Sequence, residues 1–337
     1  MNKALIAIIF TLVVSPFALA QVPAAIQIQL LKAEDARRYD KTLEDLMDHT
    51  DERVKVRAIL AAGRIGDEKA IPRLASMLEN GSLRVREMAA FALGETESVN
   101  AADSIEKALQ DPKTPVFVRA RAVEAAGKIA SANPKDANAK ELGEAILDTL
   151  EAEDNKGNKQ DPEVVRLALT AALRSRPEDA DLVVMKFLTN LDASVRADAA
   201  NTLARLRTKS ANPALRAMVM SDNDPVARAN AVRALGAAED KESVNMLIDT
   251  AVADEDSRVR VSAIRSLAVL KDPYAVDKLL ERGEALLAAY KKKKKLDFDP
   301  VETGELLEVA TTLGRLVPKT NDARTVKFLT ALGEADN

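Results

Sequence analysis

Residues 224–251 read DPVARANAVRALGAAEDKESVNMLIDTA, and this stretch has the pattern of two short helices. Asp224 followed by Pro225 is a typical helix start, because the carboxylate caps free N–H groups and proline fits the first helical turn. The first helix ends at Gly236. The apolar stripe of the second helix, at helical spacing, consists of Val244, Leu247, Ile248 and Ala251. Two helices of this length cannot bury their apolar sides alone, so the pattern predicts a stack of similar units.

Six further units have the same opening, an apolar residue followed by a basic one. The basic residues lie 31, 33, 47, 30, 32 and 32 positions apart and are Lys55, Arg86, Arg119, Arg166, Arg196, Arg228 and Arg260. Four positions after the apolar residue come Ala58, Ala89, Ala122, Leu169, Ala199, Ala231 and Ala263. Nine positions after it come Gly63, Gly94, Gly127, Arg174, Ala204, Gly236 and Ala268. Small residues at both positions predict close contact between neighbouring helices.

This pattern resembles the HEAT repeat, in particular the short HEAT-like type of the phycobilisome lyases. The segments that carry the resemblance are DEKAIPRLASML, VREMAAFALG, DPVARANAVRALG and DSRVRVSAIRSLAVLKD, and it covers residues 48–280. The resemblance implies an all-α fold, a HEAT-like α-solenoid in which helix pairs form a right-handed superhelix. Such arrays serve as scaffolds, as regulatory subunits and as a few enzymes, so the fold alone does not define the activity.

The chain is expected to have four parts. Residues 1–20 form a signal peptide, 21–47 form capping helices, 48–283 form an array of seven repeats, and 284–337 contain a lysine-rich loop and a degenerate last repeat. The polar stretches at 131–140 and 151–160 interrupt the spacing and are predicted to be loops.

The N-terminal segment has the features of a secretory signal. Lys3 precedes an apolar run from 4 to 14, Pro16 interrupts it, and small residues precede a cleavage site between Ala20 and Gln21. The apolar run is shorter than the roughly 20 residues that a spanning helix needs. We therefore expect export to the periplasm or the extracellular space, and the absence of cysteine agrees with this destination.

The row of basic residues is predicted to be structural. An aspartate stands four positions before three of the arginines and five before Arg166, and these aspartates are Asp161, Asp192, Asp224 and Asp256. Each aspartate is expected to cap its own helix and also to pair with the arginine of a neighbouring repeat. The alternative is a row of phosphate-binding residues.

No residue pattern indicates catalysis. His49 is the one histidine in the chain, and it has no neighbouring residues that would make it a base or a metal ligand. A HEAT enzyme similar to deoxyhypusine hydroxylase needs several His-Glu pairs for two irons, whereas His49 is followed by Thr50, so this activity is excluded. An exported chain would also not meet the substrates of a phycobilin lyase. We expect no catalytic residue, no cofactor and no metal.

The leading hypothesis is a non-catalytic scaffold that binds a protein partner across several repeats. Candidate contacts on the second helices are Arg73, Lys107, Lys186 and Lys278. A net charge of −4 argues against nucleic acid as the partner. Membrane contact through Lys291–Lys295 is a weaker alternative to a solvated loop. A further alternative is an accessory module of a cyclophilin-type prolyl isomerase system, with the catalytic domain after Asn337 or on another chain.

Overall fold

The structure is a computed structural model that describes residues 22–292, 300–317 and 322–334. Every regular element in these ranges is helical, and eighteen α-helices form nine consecutive pairs. The first helices of the pairs are α1 (Ala24–Asp35), α3 (Glu52–Ile65), α5 (Leu83–Glu95), α7 (Val116–Ala132), α9 (Pro162–Ser175), α11 (Ala193–Leu206), α13 (Pro225–Ala237), α15 (Ser257–Leu270) and α17 (Pro300–Leu316). The second helices are α2 (Lys41–Met47), α4 (Ile71–Asn80), α6 (Ala102–Gln110), α8 (Ala137–Asp154), α10 (Ala180–Val184), α12 (Asn212–Ser221), α14 (Val244–Ala253), α16 (Ala275–Lys292) and α18 (Ala323–Gly333). A 3₁₀ turn over Met185–Thr189 continues α10. The predicted all-α solenoid is confirmed.

Side-chain caps define where the first helices begin. The carboxylates of Asp161, Asp192, Asp224 and Asp256 each accept a backbone N–H from the first turn of their own helix. Asp51 and Ser82 do the same for α3 and α5. The predicted capping role of the aspartates is confirmed, because each satisfies donors that a helix start leaves free.

The first helices form an uninterrupted layer in which each packs against the next. The predicted glycines lie at the closest approach. A Cβ added to Gly63 would lie 2.7 Å from the Cα of Ala92, and one added to Gly94 would lie 2.7 Å from the Cα of Ala125. The alanines that lie four positions after the apolar residue of each first helix are fully buried. Small residues therefore set the spacing between neighbouring repeats.

The fourth repeat has a register different from the one expected. An added Cβ on Gly127 meets Ala171, and the hydroxyl of Thr202 donates to the carbonyl of Leu169. The corresponding contacts in the other repeats place Val164, not Val165, at the apolar position, three residues after the cap at Asp161 as elsewhere. Alignment on the Val165–Arg166 pair was wrong by one residue. Correct alignment puts Ala168 at the first small position, whereas Arg174 is exposed and does not occupy the second.

Two predicted loops are largely helical. α8 extends over 137–154 because its buried stripe continues through Ile146 and Leu150, so only 133–136 and 155–161 link it to α7 and α9. α16 is also continuous from Ala275 to Lys292, since Leu279, Leu286 and Leu287 remain buried. The expected boundary between 283 and 284 lies within this helix. Lys291 and Lys292 end it, while Lys293–Lys295 and the predicted signal peptide lie outside the described residues.

The alternation of helices gives the array two edges. Each first helix runs from one edge to the other, and each second helix returns. We call the edge with the links from second to first helices the loop edge, and the opposite edge the turn edge. Most second helices pack more closely on the first helix of the next pair than on that of their own pair, and the loop edge carries the link between the two.

Replacing Gly94 with alanine should lower the free energy of unfolding by about 2 kcal/mol, because the new methyl group would overlap the backbone of α7. Gly304 is a matched control, since an added Cβ there meets nothing within 4 Å. Gly304→Ala should raise the unfolding free energy by up to about 1 kcal/mol through helix propensity. Urea denaturation followed by circular dichroism measures both changes. Equal effects of the two substitutions would contradict close packing at Gly94.

Candidate protein-interaction site

A row of five hollows lies along the loop edge. Each is bordered by the end of a second helix and by the loop that follows, and their volumes run from about 370 to about 480 Å³. The first is lined by Lys55 and Asn80, and the second by Arg86, Lys107 and Thr114. The row therefore crosses several repeats and takes side chains from both helix types.

The other three hollows continue along the same edge. Arg119 and Lys156 line the third hollow, and Lys186 lines the fourth. Leu191 lies between the fourth and fifth hollows, lines both, and is 83% exposed. Met220, at the end of α12, is 72% exposed. This edge thus combines concave surfaces with exposed apolar side chains.

Three residues of the predicted basic row each bind both oxygens of one carboxylate, an arrangement that we call a closed ion pair. Arg196 donates through Nε and Nη2 to the two carboxylate oxygens of Asp222, at 2.7 and 2.8 Å. Arg228 binds Asp254 in the same bidentate way at 3.0 Å, and Arg260 binds Glu305 at 2.7–3.1 Å. The remaining Nη1 group of each arginine donates to two carbonyl groups of the preceding loop. These arginines link three successive loops.

The carboxylates in these pairs are not the predicted ones. Asp224 and Asp256 cap their helices, and the arginines bind the aspartates two positions earlier, Asp222 and Asp254. The cap carboxylate is occupied by backbone N–H groups, whereas the earlier one lies in the loop facing the arginine. Asp222 also accepts the N–H of Asp224, at 2.8 Å. Burial raises the pKa of Asp222, but Arg196 and this N–H hold the pKa below its ordinary value.

The other basic residues of the row lack this arrangement. Arg166 lies one position past the corresponding site, which Val165 occupies, and Arg166 instead makes an exposed pair with Asp198 at 2.6 Å. Arg86 donates to the carbonyl of Leu78, and Arg119 donates only to carbonyl groups of its preceding loop. Within the described residues, Lys55, Arg86 and Arg119 form no ion pair.

The four candidate cations of the second helices are all paired with acids. Lys107 binds Glu79 at 2.6 Å, and Lys186 binds Glu151 at 2.9 Å, in each case on the preceding second helix. Arg73 pairs with Asp48, and Lys278 pairs with Glu281 of its own helix at 3.0 Å. The structure places Lys107 and Lys186 in the hollows but brings neither Arg73 nor Lys278 to one.

Sequence comparison agrees with this architecture. A sequence model of HEAT repeats matches residues 39–127 and 212–285. These segments contain the first three and the sixth and seventh of the predicted repeats, where the small residues and the basic residues keep their spacing. This chain is a HEAT-repeat protein. A search of curated protein sequences finds no match to it.

Solved structures share the HEAT-type solenoid. The Escherichia coli protein YibA matches with a TM-score of 0.57 and 16% identity, over 86% of this chain and 98% of that one. The karyopherin Kap121p, bound to the SUMO protease Ulp1p, matches with a TM-score of 0.59 and 14% identity, over 94% of this chain and 36% of that one. An engineered protein matches with a TM-score of 0.52 and 20% identity, over 95% and 93%. At these identities the likeness concerns the fold.

Three observations concern the histidine, metal binding and membrane spans. The imidazole Nδ1 of His49 accepts the N–H of Asp51 at 3.0 Å, so this side chain shapes the turn before α3. The described residues contain no group of three or more metal-ligating side chains. None of their helices combines the length and apolar character needed to cross a membrane.

Arg228→Gln should lower the unfolding free energy by about 3 kcal/mol, because it leaves the partly buried carboxylate of Asp254 without its charged partner. Arg166→Gln is the matched control, since its pair with Asp198 is exposed and contributes at most about 1 kcal/mol. Chemical denaturation of both variants checks the difference. If Arg166→Gln lowered the unfolding free energy as much as Arg228→Gln, the closed ion pairs would contribute no more to stability than an exposed pair.

Glu305 joins α17 to the array and should make its stability depend on pH. The residue is fully buried, and burial alone would raise the pKa of its carboxyl group, but hydrogen bonds from Arg260 and Arg282 hold the pKa below its ordinary value of 4.5. A lowered pKa in the folded state stabilises the protein above the ordinary pKa, and this stabilisation is lost as the pH falls through the folded value.

Wild-type protein should therefore exceed a Glu305→Gln variant in unfolding free energy by a constant amount above about pH 5.5, and the difference should narrow below the ordinary pKa. Urea denaturation of both proteins between pH 7 and the lowest pH at which they remain folded measures this difference. A difference that stays constant over the whole range would mean that Glu305 does not titrate as described.

Proposed function

We propose that this HEAT-repeat protein is a non-catalytic scaffold that binds a protein partner along its loop edge, outside the cytoplasm. The row of hollows carries the proposal, because it extends over five repeats and lies on one side of the array. Residues in the hollows differ between repeats, which allows each repeat to recognise a different part of the partner. The predicted signal peptide supports the exported location.

Two further observations support a protein partner. Leu191 and Met220 are among the most exposed large apolar side chains of the described residues, and both lie at the loop edge. Exposed apolar groups beside concave, partly polar surfaces are typical of interaction sites. Kap121p, which shares the solenoid fold, is an example of such an array holding a protein partner.

The ion pairs of the second helices give this surface a defined shape. Lys107–Glu79 and Lys186–Glu151 each connect two consecutive second helices beside a hollow. Each pair is exposed and adds little stability by itself. Their lysine side chains can therefore be changed without loss of the fold, which makes them suitable for testing the surface.

A loop-edge variant with Lys107→Gln, Lys186→Gln, Leu191→Ser and Met220→Ser should lose the partner. The matched control changes the turn edge by the same charge and the same number of apolar groups: Lys69→Gln, Lys209→Gln, Val269→Ser and Tyr274→Ser. Residues 21–337 of each protein would be immobilised and used to capture proteins from an extracytoplasmic extract, followed by mass spectrometry and affinity measurement with the purified partner.

We expect a partner that the wild type and the turn-edge variant retain and that the loop-edge variant binds at least tenfold more weakly. A partner held equally by the two variants would place the interaction elsewhere on the array. If the turn-edge variant alone lost the partner, the proposed site would be on the wrong edge.

A further inference from the structure

Building on the proposed function, we infer that the first three repeats bind an acidic, extended segment of the partner. Its carboxylates contact Lys55, Arg86 and Arg119, one in each repeat. These residues occupy the position at which Arg196, Arg228 and Arg260 bind carboxylates of the protein itself. A carboxylate of the partner would take the place that Asp222 and Asp254 have further along the array.

The sequence explains why the first three repeats lack an internal carboxylate. In two of the three closed pairs the acid stands two residues before the next helix cap, at Asp222 and Asp254, whereas Glu305 lies within α17. The same position before the caps of α5, α7 and α9 holds Asn80, Lys113 and Lys159. One neutral and two basic side chains replace the acids, so this position supplies no carboxylate to the basic residues of the first three repeats.

Two buried polar atoms in these hollows have no hydrogen-bond partner. They are the Nε of Arg119 and the hydroxyl oxygen of Thr114, which lies 5% exposed in the hollow that also contains Arg86 and Lys107. The terminal Nη2 of Arg119 is fixed by three loop carbonyls at 3.2–3.4 Å, so its guanidinium group is held in place before a ligand arrives. A bound carboxylate would supply acceptors for donors that are otherwise unsatisfied.

Acidic residues of the protein near these hollows are mostly occupied by other donors. Glu79 binds Lys107, and Glu153 accepts from Lys156 at 2.5 Å and from the N–H of Asp161 at 2.9 Å. Asp111 accepts the N–H of Lys113 at 2.9 Å. Asp148 is exposed, lines the hollow of Arg119, and forms no ion pair within the described residues. Its charge would oppose a bound acid.

The spacing of the repeats defines the spacing of the ligand. Packed helices lie about 8–10 Å apart, and contacts at Gly63 and Gly94 bring α3, α5 and α7 together at this range. An extended chain advances about 3.1–3.3 Å per residue, so acidic residues three positions apart would reach successive repeats. The expected ligand has acidic residues at positions i, i+3 and i+6.

The test is fluorescence anisotropy with two labelled peptides of identical composition. One has three glutamates at i, i+3 and i+6, separated by proline and serine, and the other has the three glutamates adjacent. The spaced peptide should bind wild-type protein at least tenfold more tightly at low salt, and the affinity should fall as salt screens the charges. Equal binding of the two peptides would overturn the inference, because it would indicate unspecific attraction.

Variants then locate the site. A variant with Lys55→Gln, Arg86→Gln and Arg119→Gln should bind the spaced peptide at least tenfold more weakly. The control, with Lys69→Gln, Lys135→Gln and Lys209→Gln at the turn edge, loses the same charge and should stay within twofold of wild type. Asp148→Asn should bind more tightly. Asn80→Asp, which supplies an acid at the position of Asp222, should bind more weakly.

Unchanged binding by the triple loop-edge variant would overturn the inference. Because the comparison of peptides uses unmodified protein, the inference stays testable even if that variant fails to fold. The proposed function is tested separately: if neither peptide binds while the partner is still lost on changing the loop edge, the scaffold proposal stands and its acidic ligand is rejected. If the spaced peptide binds but the loop-edge variant still captures the partner, the acidic-ligand site stands and the proposal that the partner binds along the loop edge is rejected.

Discussion

Close contact between consecutive first helices is the constraint on which the structure depends. At Gly63, Gly94, Gly127 and Gly236 the next helix approaches so closely that a methyl group would overlap it. This contact fixes the register of each repeat against the next. It also allows hydrogen bonds between helices, such as those from Asn230 to the carbonyl of Ala197 and from Ser266 to the carbonyl of Val232. The layer of first helices therefore holds successive repeats in register, and the loops between repeats take their positions from it.

Much of this layer was predictable because it follows from local patterns. Caps, apolar stripes and small residues each require particular residue types at fixed distances, and the helix pairs follow from them. The error at α9 shows the limit of such reasoning. Val164 and Val165 are both apolar and both fully buried, so hydrophobicity could not decide between them. The cap at Asp161, five residues before Arg166 instead of four, was the signal of the true register.

The candidate interaction surface was less predictable from the sequence, because it depends on contacts between repeats. A lysine on a second helix looks available in the sequence, yet Lys107 and Lys186 are paired with acids about thirty residues earlier. The sequence predicted that the arginines pair with aspartates, but it indicated the wrong aspartates. An aspartate that caps a helix and one in the preceding loop have the same side chain, and they differ only in their position relative to the arginine. Only the spacing of 26 residues from Arg196 to Asp222, repeated from Arg228 to Asp254, gave a hint of it.

These contacts divide the HEAT array into two parts that differ in how the basic residues are paired. In the later repeats, Arg196 and Arg228 each bind carbonyls of one loop and an acid of the next loop, and Arg260 binds carbonyls of its preceding loop and Glu305 of α17. Val165 interrupts the row in the fourth repeat. Before it, the basic residues are partly held by the backbone, and the acids that would complete them are absent from the sequence. The neutral or basic residues at 80, 113 and 159 leave the cations of three successive repeats without an ion pair among the described residues. The same basic position is therefore closed by an internal acid in the later repeats and left without one in the first three, which is the difference on which the proposed binding of an acidic partner segment rests.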